Sequence, residues 1–228
     1  SAVGKIISTE KANPDIAYKM INKKVKFYYT LEKFGKKSEE SGNYSSEENN
    51  TLGAITKVTT ETGVYYRVVN YAYGNLGFNH FDMPQDSKEY YHWAITGYVK
   101  ASDLKRYYPY KSSWQYKKRR PYYIGDASQY RLWNAPVQTK HYPYIRRVFD
   151  RYAQQQLYAT KELVLRKNNH HYVFLETKNG KQLGWVYKSP KALLPGKYRD
   201  PGKQFLTIKK NQKMIKKVQS KKSTGNRA

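Results

Sequence analysis

The apolar residues of this 228-residue chain come in runs of strand length and no longer. Residues 25–29, 54–58, 64–69, 95–99, 163–165, 171–175 and 183–187 are rich in β-branched and aromatic side chains. Such side chains pack well on a pleated, half-buried surface. Turn residues bound these runs, as at 61–63, 167–169 and 178–181. Asn179-Gly180 suits a tight hairpin, because both residues tolerate the positive φ that the turn requires. No apolar stretch approaches the ~18 residues of a membrane span. The best helical spacing is Tyr144, Ile145, Val148, Phe149 and Tyr152, which predicts one short helix. The expected class is mainly β.

The runs appear twice in the same order. Residues 26–29, 52–57, 64–68 and 96–104 are matched by 130–134, 157–161, 171–175 and 183–193. Leu52 to Tyr66 spans 14 positions and Leu157 to Tyr172 spans 15, which pairs Tyr66 with Tyr172. The interval from that tyrosine to the closing glycine, Gly97 or Gly184, is 31 in the first copy and 12 in the second. The difference makes residues 70–93 an insertion in the first copy. Residues 38–50, acidic and rich in Ser and Asn, read as a long surface loop. The period is that of a two-fold tandem repeat.

Charge is distributed unevenly over this repeat. The chain carries 43 Lys+Arg against 17 Asp+Glu, a net +26. Residues 1–110 hold 15 basic and 12 acidic residues, a net +3. Residues 111–195 hold 17 and 4, a net +13, and residues 196–228 hold 11 and 1, a net +10. The polar, basic stretch at 111–120 reads as a linker, and 196–228 as a flexible basic tail. The expected modules are therefore 18–110 and 121–195. A field of this size opposes compaction unless a polyanion meets it: nucleic acid, an anionic membrane surface or an anionic wall polymer.

Other classes are excluded by what is missing. With no cysteine, there are no disulfides, thiolate zinc sites, iron–sulfur clusters or cysteine nucleophiles. The four acids of 111–195 (Asp126, Asp150, Glu162, Glu176) suggest no glycosidase pair. Nucleophile-elbow, metalloprotease, phosphate-loop and dinucleotide motifs are absent. His170-His171 would point to opposite faces of a strand, which disfavours one shared metal ion. His80 and Asp82 read as part of a packed loop. The expectation is a non-enzyme without metal or cofactor.

Gly184-Trp185-Val186 followed by Lys191-Ala192-Leu193, with Leu132-Trp133-Asn134-Ala135-Pro136 and Thr139-Lys140 upstream, resembles the Gly-Trp (GW) modules of Gram-positive surface proteins, including many lactobacillus variants. The resemblance covers about 125–195. It extends more weakly to 20–110, where Gly97-Tyr98-Val99 and Asp103-Leu104 replace the signature. It implies two small SH3-like β-barrels in tandem and non-covalent attachment to lipoteichoic or wall teichoic acid. Peptidoglycan and host polyanionic glycans are further partners of that kind. It places the chain outside the cell on the wall, with no signal peptide inside the chain itself.

The residues support a polyanion binder independently of the family. A phosphodiester polymer needs Lys and Arg for its phosphates and aromatic faces for its sugar or polyol carbon. The second copy interleaves the two types. The candidate ligand residues are Lys117, Lys118, Arg119, Arg120, Arg131, Trp133, Arg146, Arg147, Arg151, Tyr172 and Trp185. The same chemistry suits a nucleic-acid backbone, so an RNA- or ribosome-associated module is the alternative. A third reading is the targeting part of a wall hydrolase or adhesin.

Overall fold

A computed structural model describes residues 2–72, 75–76, 81–82, 88, 91, 94–128 and 130–199. Most of the expected insertion at 70–93, including His80, and nearly all of the expected tail at 196–228 lie outside the described residues. The chain is mainly β and divides into two compact units. The first takes in the described residues up to Ala72, those within Pro84–Pro109, and Gln138–Tyr142. The second takes in the described residues within Tyr73–Met83, Tyr110–Val137 and the described residues from Pro143 onward.

The first unit contains β1 (Ile6–Lys11), β2 (Ala17–Met20), β3 (Lys26–Tyr28), β4 (Glu40–Asn43), the helical turn α1 (Tyr44–Glu47), β5 (Leu52–Thr60) and β6 (Gly63–Asn70). The two-residue strands β7 (Asn75–Leu76) and β8 (Phe81–Asp82), which pair with each other, fall in the segment Tyr73–Met83 that belongs to the second unit. β9 (Ile95–Lys100) and β10 (Leu104–Arg106) complete the sheet, whose order is β10-β2-β5-β6-β9-β3-β4, with β1 beside β5. Phe27, Leu52, Val68 and Val99 fill its core and are fully buried. Each such side chain contributes about 2–3 kcal/mol by leaving water.

The second unit contains β11 (Tyr110–Ile124), β12 (Arg131–Trp133), β13 (Ile145–Val148), β14 (Leu157–Leu165), β15 (His171–Thr177), β16 (Gln182–Tyr187) and β17 (Leu193–Pro195). Its order is β17-β11-β14-β15-β16-β12-β13. That is the order of the first sheet, strand for strand. Each sheet curls into a half-barrel. The core comprises Leu132, Phe149, Leu157, Val173, Leu175 and Val186, with others around them.

Within the paired strands the registers match the two copies residue for residue. In β5–β6 the ladder slips between Ala54 and Thr56, and in β14–β15 between Ala159 and Lys161. Tyr98 pairs with both Arg67 and Tyr28; Trp185 pairs with both Phe174 and Trp133. Gly97 and Gly184 occupy equivalent places with φ of 132° and 141°, a conformation that a side chain strains. A Cβ on Gly184 would lie 2.7 Å from the Trp133 carbonyl oxygen, and one on Gly97 would lie 2.8 Å from that of Tyr28. The neighbouring strand's backbone therefore requires glycine at both places.

Four expectations are corrected here. Residues 111–120 are not a linker but the leading part of β11, which pairs along β14. They are polar because most of that stretch faces solvent. The corresponding strand of the first unit is interrupted: β1 and β2 together pair along β5 as β11 does along β14. The partner of Tyr172 is Tyr65 rather than Tyr66, since the second hairpin is two residues longer. Residues 144–152 do not form one helix. Ile145–Val148 pair with β12, and only Phe149–Tyr152 turn, as a 3-10 helix that buries Phe149 and Tyr152. The acidic loop, lastly, holds β4 and α1, because Asn43 and Ser46 cap each other's backbone amides.

Candidate functional site

β11 carries the first cationic group. Lys117, Lys118 and Arg120 are exposed. The Arg120 guanidinium lies 4.3 Å from the Tyr116 ring centroid. Arg119 is bound within the unit instead. Its Nη1 meets Glu176 Oε1 at 3.2 Å, its Nη2 donates to the Lys178 carbonyl at 3.1 Å, and the guanidinium lies 3.9 Å over Tyr158. A second cationic group comes from β13 and the following turn, where Arg146 and Arg151 are exposed and Arg147 is half-buried. Among the described residues, Lys117, Lys118, Arg120, Arg146, Arg147 and Arg151 have no carboxylate within 4.0 Å.

Three expected ligand residues are corrected by burial. Arg131, Trp133 and Tyr172 have 1%, 1% and 0% of their surface exposed, so a surface polymer does not reach them. Arg131 Nη1 donates to the Tyr130 carbonyl at 2.8 Å. Burial pushes its guanidinium down to about 9, against the pull of the Asp150 carboxylate. Trp185 is half-buried, and the Lys161 ammonium lies 5.6 Å from its ring centroid.

The sequence carries no local signal for the network around Glu162 or the cavity beside it. Glu162, on β14, is 3% exposed and carries three partners. Tyr116 donates its hydroxyl to Oε1, His171 Nδ1 meets Oε2 at 2.5 Å, and Lys188 Nζ lies 3.4 Å from Oε1. Burial alone would push the Glu162 carboxyl up, but the bonds from Tyr116 and His171 and the Lys188 ammonium outweigh it. The carboxyl is held below its ordinary value. Burial and the same carboxylate push the Tyr116 hydroxyl up.

Beside this network opens a cavity of about 550 Å³. It is lined by Tyr122, Asn169, His170, His171, Tyr187, Lys188, Pro190, Leu193 and Pro195. His170 stacks on Tyr187 with ring centroids 4.4 Å apart and planes at 20°. Its Nδ1 is buried without a hydrogen-bond partner. The pair His170-His171 fails as a metal pair, since the two imidazoles face Tyr187 and Glu162 respectively. Among the described residues no three His, Asp or Glu side chains gather to hold a metal ion, and no helix is long and apolar enough to cross a membrane.

No family model matches the sequence, and no curated protein matches it. Among solved structures, the chain is similar to a crystal structure of a Listeria monocytogenes chain assigned as an autolysin, with 11% identity and a TM-score of 0.35. The match covers 84% of this chain and 66% of that one, so this chain spans just under two thirds of its neighbour's length.

Proposed function

We propose that this chain is a non-catalytic, wall-associated module that holds its protein outside a Gram-positive cell by binding an anionic phosphodiester polymer, teichoic or lipoteichoic acid. In this reading the two half-barrels are SH3-like modules of the Gly-Trp type, and the second carries the ligand. One observation supports it above the rest. The second unit keeps Lys117, Lys118, Arg146 and Arg151 exposed and without carboxylate partners, on a stretch of net +13. Unpaired surface cations cost folding stability through mutual repulsion, and a polyanion relieves it. Guanidinium groups meet phosphate oxygens in pairs, while the neighbouring tyrosine faces suit polyol carbon. Repeated charges on the polymer would let many weak contacts act together.

The test is retention of the purified chain on Gram-positive cell walls, native or stripped of teichoic acid, across a salt series. Retention on native walls alone, falling steeply with salt, supports the reading. Equal retention on stripped walls would move the ligand to peptidoglycan or a neutral glycan. Loss on both, with binding to RNA at physiological salt, would replace the reading with the nucleic-acid one.

A further inference from the structure

We propose that the cavity beside Glu162 in the second unit is a subsite for one phosphate with its attached polyol, the repeating element of such a polymer. This rests on the wall-polymer reading and adds a site to it. The cavity, at about 550 Å³, lies within the usual range of small-ligand sites. Its walls divide by chemistry. Tyr122, Tyr187, Pro190, Leu193 and Pro195 offer apolar surface, and the remaining walls are Asn169, His170, His171 and Lys188. No carboxylate is among the residues that line it. The nearby Glu162 has both oxygens occupied, by Tyr116 and Lys188 on one side and His171 on the other.

Each polar group is held in place. His171 is fixed through Nδ1, which leaves Nε2 as the ring nitrogen for a ligand. The Lys188 amide donates to the His171 carbonyl at 2.8 Å, so ammonium and imidazole arise from paired backbone. His170 is held by its stack on Tyr187, another wall of the cavity. A phosphate oxygen accepts from the Lys188 ammonium and the His171 imidazole, and three carbons of polyol cover the tyrosine and proline faces.

The first unit is an internal control. In its registers the places of His170, His171 and Lys188 fall to Gly63, Val64 and Ala101, and that of Glu162 falls to Lys57. The fold therefore does not require the imidazoles or the ammonium.

The experiment is a heteronuclear NMR titration of the full chain, following the imidazoles of His170 and His171, with glycerol 1-phosphate, inorganic phosphate and glycerol as separate probes. Glycerol 1-phosphate should shift both imidazoles saturably with a dissociation constant of about 1–10 mM. Inorganic phosphate should bind more weakly, and glycerol should not bind. Lys188→Gln should weaken the glycerol 1-phosphate response about 10-fold. His170→Ala, at a wall of the site and outside the bonds of Glu162, should weaken it in a chain whose amide spectrum stays folded. A flat titration, or undiminished affinity in both variants, overturns the subsite. A flat titration with salt-sensitive wall retention would leave the wall reading standing. Saturable binding in a chain that native walls do not retain would remove the wall reading and keep the subsite.

Discussion

The two halves of this protein share one scaffold and differ in what they place upon it. Both sheets have the same strand order, the same slip after Ala54 or Ala159, and the same glycine after which the last long ladder shifts. Yet equivalent places carry opposite chemistry. Lys57 stands where Glu162 is buried, Val64 where His171 meets it, and Glu10 where Trp114 pairs across from it. Lys26 is exposed and paired with Glu40 at 3.1 Å, whereas its counterpart Arg131 is buried. At Gly53 the backbone of Pro14 would stand 2.2 Å from a Cβ; at the matching Tyr158 the ring supports Arg119. The lesson is that backbone geometry fixes the shared positions, and charge and aromatic content vary where the ladder leaves a side chain free.

If that is right, substitutions at shared positions should hurt both units, and substitutions at divergent ones should separate them. The largest effect belongs to Gly184→Ala and Gly97→Ala. Each puts a Cβ against backbone at strongly positive φ and should cost about 3 kcal/mol, read by thermal denaturation and by amide exchange within the altered unit. A cost confined to one of the two glycines would break the equivalence.

Glu162→Gln against Lys57→Gln sharpens the contrast. Replacing the buried carboxylate by an amide removes the charge that Tyr116, His171 and Lys188 share and should cost about 2 kcal/mol at neutral pH. The lysine change should stay within about 0.5 kcal/mol. Because Glu162 is held below its ordinary value, its stabilisation is complete above the ordinary carboxylate pKa of about 4.3. It fades as pH falls through the folded value. Denaturation curves across the acid range should therefore be flatter for Glu162→Gln, and an unchanged acid limb would contradict the network.

Smaller effects follow at the surface. Arg119→Ala loses the Glu176 pair and the Tyr158 face and should cost about 1 kcal/mol in urea unfolding. Arg146→Ala and Arg151→Ala should leave stability within about 0.5 kcal/mol while lowering retention on walls.

Much of the scaffold was legible before the structure. The short β-branched runs became strands β5, β6, β9, β14, β15 and β16, and the repeated order of segments reappears as a repeated sheet order. Legibility failed where tertiary pairing overrides local pattern. Residues 111–120 look like a linker because an outward-facing strand needs few apolar side chains, and only its pairing with β14 reveals it. Ile145 and Val148 have helical spacing but are claimed by Trp133 and Arg131 across the ladder. The site was legible in part. The exposed arginines and lysines could be named from charge and aromatic interleaving alone. Arg131, Trp133 and Tyr172 share that pattern but are buried on the face opposite the core residues Leu132 and Val173, since both faces of their strands are covered. The cavity draws on β11, the start of β15, the end of β16 and the segment after it, residues too far apart in sequence for any local motif.

The most direct test of the central claim removes charge from one unit at a time in the full chain. One variant carries Lys117, Lys118, Arg146 and Arg151 changed to Ala; the other carries the exposed Lys23, Lys24, Lys36 and Lys37 of the first unit changed likewise. Both lose four positive charges. Retention on teichoic-acid-bearing walls at physiological salt should collapse for the first variant and persist for the second. Equal losses would contradict the account, because total charge would then matter and the second unit's surface would not.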